Sequence, residues 1–104
     1  MYITFSNNKI RKICEDKKTA TRKLGKQMSE KLFQRIAEMR ASDNLAVLRS
    51  LPSPNCHPLI GNLLGCYAVY LVHPMRLIFV PSYEGEFKEE SITEVVIKEI
   101  IDYH

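Results

Sequence analysis

The chain has no long apolar run, no closely spaced cysteine pair, no internal repeat and, over most of its length, few acids. Each shortage excludes something. Crossing a bilayer as a helix takes roughly 18 predominantly apolar residues in a row, and no segment approaches that. The opening "MYITFSNNKIRKICEDKK" also lacks the uninterrupted apolar stretch of an export signal. Together these absences predict a cytoplasmic protein with no membrane partner. Cys14, Cys56 and Cys66 are odd in number and lack CxxC spacing, which favours three free thiols over a disulfide, a zinc site or a redox centre. No metal and no cofactor is expected. The 104 residues suffice for one modest core and not for two, so residues 1–104 are read as a single domain. Apolar residues at 45% and charged residues at 26% are the proportions of a folded globular chain.

The net charge of +3 conceals an asymmetry. Residues 1–81 hold 13 Lys or Arg against 5 Asp or Glu, and residues 82–104 hold 2 against 7, giving +8 and −5. The basic excess is densest in Lys9, Arg11, Lys12, Lys17, Lys18, Arg22, Lys23 and Lys26, set against Glu15 and Asp16 alone. Such a stripe attracts RNA by counterion release, or is a solvated helix face.

"MYITF" alternates and is rich in β-formers, so the chain opens on a strand. From Asn8 to Leu24 the apolar positions are sparse, and Gly25 suits a left-handed cap; one broken or two short helices should end there. "KQMSEKLFQRIAEMRA" is the clearest helix, with Met28, Leu32, Ile36 and Met39 on one face. Ser42 or Asp43 is expected to cap a further short helix through Leu48, stopped by Pro52 and Pro54. "LGCYAVYLV" and "RLIFV", joined by "HPM", read as an antiparallel hairpin, and "SYEGEFKEES" as an acidic loop. "TEVVIKEIIDYH" fits a helix or a strand; its β-branched residues favour the strand. The order predicts an α+β fold, with the N-terminal strand and helices packed on a small, mostly antiparallel twisted sheet.

Histidines are the side chains best suited to exchange protons near neutral pH, and His57 and His104 flank the strand-rich half, with His73 in the hairpin turn. If the last segment is a strand, a period of two puts Val96, Lys98, Ile100, Asp102 and His104 on one face and Tyr103 on the other. Arg76 is the one cation in a run of Leu77, Ile78, Phe79 and Val80, so it needs a partner or a ligand. Two histidines, an acid, a tyrosine and an arginine suit phosphoryl transfer on RNA, which needs a base, an acid and a cation on the phosphate. Each also has a structural reading, as a loop histidine or a strand ion pair.

"CHPLIGN", then "GCYAV", then "HPMRLIF" and a terminal "DYH" resemble the HigB branch of the RelE/ParE superfamily, the toxins of bacterial type II toxin–antitoxin systems. The "YITF" strand and the helix ending in "EMR" extend the resemblance over nearly the whole chain. It implies a microbial RNase-like fold whose open sheet face holds RNA, and a metal-independent mRNA interferase, an endoribonuclease cutting messenger in the ribosomal A site. It further implies His57 or Asp102 as base, His104 as acid, Arg76 on the phosphate and Tyr103 against the RNA. The basic residues Lys9 to Lys26 would contact the ribosome, and the implied partners are ribosome, messenger and a HigA-like helix-turn-helix antitoxin of the Xre type. The sequence departs from the family where many relatives carry lysine: Ile60 and the stretch Asn62 to Leu64 are neutral. That departure keeps open a non-catalytic relative that binds a gyrase-type target or its antitoxin.

Overall fold

A computed structural model of the protein describes residues 1–102. The elements run β1 (Tyr2–Phe5), α1 (Asn8–Glu15), α2 (Lys17–Leu24), α3 (Lys26–Ala41), α4 (Leu45–Ser50), β2 (His57–Pro58), β3 (Tyr67–Tyr70), β4 (Met75–Pro81) and β5 (Glu94–Asp102). Short 3-10 turns occupy Gly61–Leu63 and Glu89–Ser91. The strands form one sheet in the order β1-β5-β4-β3-β2, in which β1 runs parallel to β5 and the other neighbours are antiparallel. The expected α+β arrangement, with the final segment as a strand, is what forms.

The helices begin and end where local chemistry dictates. Asn7 Oδ1 accepts from the Ile10 amide at 2.9 Å and starts α1. Gly25 separates α2 from α3 at φ 84°, ψ 166°, a backbone region open essentially only to glycine. The expected cap of α4 is corrected. Asn44, not Ser42 or Asp43, holds that position, because its Oδ1 accepts from the Val47 amide at 3.0 Å. Ser42 instead closes α3, its hydroxyl donating to the Glu38 carbonyl at 2.8 Å, and α4 runs on to Ser50.

One face of the sheet carries the main core. Leu32, Ile36 and Met39 of α3 pack with Leu77, Phe79, Val95 and Ile97, joined by Ile10 and Cys14 of α1 and by Leu45 and Leu48 of α4. Each such side chain contributes on the order of 2 kcal/mol by leaving water. Among the described residues the opposite face has a small cluster, Leu59, Ala68 and Ile78, edged by Leu63, Cys66 and Ile101.

β5 does not alternate as a simple period of two. Ile78 pairs with Glu99 and Phe79 with Ile97, so Lys98 has no opposite residue and forms a bulge. The extra residue exchanges the faces: Val95 and Ile97 reach the main core before it, Ile100 after it, while Ile101 joins the small cluster. Val96 therefore does not share a face with Ile100 and Asp102, as uninterrupted alternation predicts. No helix among the described residues is long and apolar enough to cross a membrane.

Candidate functional site

The helix-free face gathers three of the chain's reactive side chains. β2 pairs with β3 so that His57 lies opposite Ala68, and the hairpin register sets Tyr70 opposite Arg76. That register is fixed by a tight turn in which the Met75 amide donates to the Val72 carbonyl at 2.9 Å, across a cis His73–Pro74 peptide. The Arg76 Cζ lies 3.9 Å from the centre of the Tyr70 ring, and the His57 ring meets Tyr70 edge-on, centroids 5.9 Å apart at 85°. Tyr70 is thus the shared wall of a His57–Tyr70–Arg76 cluster, with Ile101 of β5 beside Arg76 on the other flank.

Arg76 is only 8% exposed, yet its donors are underused. Nη1 donates to the Met75 carbonyl at 3.0 Å, and among the described residues no carboxylate lies within salt-bridge distance of the guanidinium. Described side-chain nitrogens sealed from solvent all have partners, so the remaining Arg76 nitrogens reach the surface. A guanidinium carries five N–H donors, which leaves several for an anion. The aromatic face beneath supplies the partner that the sequence calls for, at roughly 0.5–2 kcal/mol.

His57 is oriented by its own approach loop. Asn55 adopts φ 48°, a left-handed conformation that asparagine tolerates, and its carbonyl lies 2.7 Å from His57 Nδ1. A carbonyl only accepts, so Nδ1 carries the hydrogen and Nε2 of the neutral ring is the free base. The loop itself is pinned from below by Arg35 of α3, which donates through Nε to the Tyr70 carbonyl at 2.6 Å and through Nη2 to the Ser53 carbonyl at 3.1 Å. Glu38 completes the set at 2.9 Å from Nη1.

The other candidates are placed differently. Asp102 pairs with Met75, whose side chain packs on the main core, so Asp102 stands on the helix side of the sheet and Arg76 on the opposite side. Tyr103 and His104 lie outside the described residues. His73 is exposed in the hairpin turn. Lys9, Arg11, Lys12, Lys17, Lys18, Arg22, Lys23 and Lys26 are all exposed on α1, α2 and the start of α3. Lys9, Lys12, Arg22 and Lys23 line one groove of about 620 Å³ together with Asp16 and Thr19, while Arg11 is engaged by Glu15 at 3.5 Å. This basic groove and the His57 cluster belong to opposite layers.

Cys14 and Cys56 are buried in the main core, where burial pushes both thiols up to about 12. They pack in the core. Tyr67 is likewise pushed up to about 12, first by burial and then by the hydrogen bond it donates to Glu89 at 2.8 Å. Among the described residues no group of acids, cysteines and histidines is arranged to hold a metal ion.

Comparison of the chain with family models, with curated proteins and with solved structures finds no match. The site therefore stands on its geometry. Sequence reasoning passes over Tyr70 and Arg35, because both acquire their roles through register: Tyr70 through the hairpin, Arg35 by reaching across to the ends of two other segments. The signal for Tyr70 is its place directly across the "HPM" turn from the lone strand arginine.

Proposed function

We propose that the protein is a HigB-type toxin, an endoribonuclease that cuts messenger RNA on the ribosome. The observation that carries the reading is Arg76 on the helix-free face, stacked on Tyr70 beside His57 with donors to spare. His57 Nε2 takes the proton of a ribose 2′-hydroxyl, O2′ attacks the neighbouring phosphorus, and the P–O5′ bond breaks. Arg76 neutralises the charge that builds on the phosphate oxygens, where a preoriented cation is worth most. The leaving O5′ takes a proton from an acid, His104 in the resemblance. The products are a 2′,3′-cyclic phosphate and a 5′-hydroxyl. In this reading Asp102, on the other side of the sheet, is not the base. The basic groove of α1 and α2 supports docking on a polyanion away from the cut.

Translating ribosomes programmed with a messenger, incubated with the protein and its His57→Ala and Arg76→Ala variants, test this. Cleavage should fall by about 10² to 10⁴ on losing His57. Undiminished cutting by a folded His57→Ala protein would remove His57 from the mechanism. Absence of any cutting by the intact chain favours the non-catalytic relative, a reading that the neutral exposed segment Ile60 to Leu64 also supports.

A further inference from the structure

The segment "LIGNLLG", neutral where the resemblance leads one to expect lysines, has no part in the chemistry above, and the structure gives it another. Ile60 is 76% exposed and Leu64 77%, the two most exposed large apolar side chains among the described residues. Leu64 lines a groove of about 450 Å³ with Pro58, Val80, Pro81, Tyr83 and Phe87, and no charged side chain lines it. Tyr83 and Phe87 are themselves half exposed. Apolar side chains gathered on one groove and left in water mark a contact surface more often than scattered ones do.

The groove is preformed. Tyr83 packs on Phe87 with ring centres 5.1 Å apart, Phe87 tilts on Tyr67 at 6.5 Å, and Tyr67 stacks on Phe79 of the core at 5.9 Å. Below this ladder the Tyr67 hydroxyl and Arg49 both hold Glu89, at 2.8 and 2.7 Å. A wall fixed in advance reduces the ordering cost of binding.

The charge around it selects the occupant. Apart from Glu89, which Arg49 holds, the segment that bears Tyr83 and Phe87 carries Glu84, Glu86 and Glu90 against Lys88, in a chain that is otherwise strongly basic. Such a rim repels nucleic acid. A second copy of the chain offers no free anchor of this kind, because, of the apolar residues within its basic stretch, Ile10, Cys14 and Ala20 are buried and Ile13 and Leu24 are half-buried against the core. We propose that this groove docks a positively charged polypeptide segment that inserts apolar anchors between Leu64 and the Tyr83–Phe87 pair. The inference is independent of RNA cleavage.

A fluorescein-labelled synthetic peptide of repeating Leu-Lys-Lys-Leu is the probe, and the same peptide with Glu in place of every Lys is its control. Binding is followed by fluorescence anisotropy and mapped by amide chemical shifts on the whole protein. The lysine peptide should bind, with shifts confined to residues 58–66 and 80–91, and the glutamate peptide should not. Ile60→Ser with Leu64→Ser should weaken binding about tenfold or more, a loss of roughly 1.4 kcal/mol. Glu84→Gln with Glu86→Gln should weaken it as well, while leaving melting temperatures unchanged because all four side chains are exposed. No binding, equal binding of both peptides, shifts centred on α1 and α2, or indifference to both double substitutions each overturns the proposal. So does sedimentation showing that the intact chain dimerises through Ile60 and Leu64, which would make the groove a self-contact.

Discussion

Each face of the sheet holds one nearly buried arginine, Arg35 at 4% exposed on the helix side and Arg76 at 8% on the other, and the two are held in opposite ways. Arg35 spends its fork on a carboxylate and two backbone carbonyls. Arg76 spends one N–H on the carbonyl of its own neighbour and rests on a tyrosine ring. A buried guanidinium with a bond from each of its three nitrogens joins elements; one with a single bond and a π-face behind it can still receive an anion. The difference in bonding, not in burial, separates a scaffold arginine from a candidate site. The two are connected, since Arg35 grips the carbonyls of Tyr70 and Ser53, beside the residues that orient His57.

The comparison is broken most violently from the helix side. Leu32→Asp would bury a carboxylate among Ile36, Met39 and Phe79, at a cost of several kcal/mol that a domain of this size cannot absorb. Circular dichroism should show an unfolded chain. On the other face Ile101→Ala trims a half-buried edge of the small cluster and should cost only about 1–2 kcal/mol. A cooperative, native-like melt for Leu32→Asp would show that the main core does not lie where the contacts put it.

A smaller effect compares the arginines directly. Arg35→Met leaves the Tyr70 and Ser53 carbonyls without their donor and should cost roughly 3 kcal/mol. Arg76→Met gives up a cation–π contact and one carbonyl bond, about 1 kcal/mol, yet should remove phosphate neutralisation altogether. Urea melts of the two proteins, set beside their cleavage of ribosome-bound messenger, sharpen the distinction. Equal losses of stability would erase it.

What could be read in advance follows from the range of the forces involved. The apolar spacing of α3, the glycine break at Gly25 and the β-branched run of β5 act within a turn or two, and each formed where expected, though Gly25 sits at φ 84°, ψ 166° and not in the expected left-handed cap conformation. The bulge at Lys98 did not announce itself, because it is decided by pairing with β4, and it moves Ile100 and Ile101 to the faces opposite to those simple alternation assigns. The candidate cluster could be named by residue type from the sequence, and its geometry could be read only in part. His57 and Arg76 meet through Tyr70, a residue without a motif of its own, while Asp102 is carried to the other side by one extra residue upstream. Choosing among Ser42, Asp43 and Asn44 as a cap was beyond propensity, since all three residue types suit the position and only the path of the chain decides.

Alkaline pH should loosen the helix side. Cys14 and Cys56 are pushed from 9.0 up to about 12 by burial, and Tyr67 from 10.0 up to about 12, so all three favour the protonated form in the folded state. Their contribution is fully present below the unfolded values and is lost as pH climbs from 9 toward 12. By about pH 11 each thiol should have withdrawn on the order of 2 kcal/mol. Thermal melts from neutral pH upward should show this fall, and Cys14→Ala with Cys56→Ala should flatten it. An unchanged slope in the double variant would mean that these thiols ionise without resistance and are not sealed in the core.

The smallest effect on the fold is expected from the basic groove, where the effect on a partner should be largest relative to it. Lys9, Lys12 and Lys23 line the space between α1 and α2 with their side chains exposed, whereas Arg11 is occupied by Glu15 and Asn8. Replacing the three lysines by glutamine removes no buried area and should shift stability by no more than about 0.5 kcal/mol. If each meets an RNA phosphate, the slope of log affinity against log salt should flatten by about 2, since each contact on a single strand contributes roughly 0.7. Titrating a labelled oligoribonucleotide at several potassium chloride concentrations measures that slope for both proteins. An identical slope would reduce the stripe to a solvated surface.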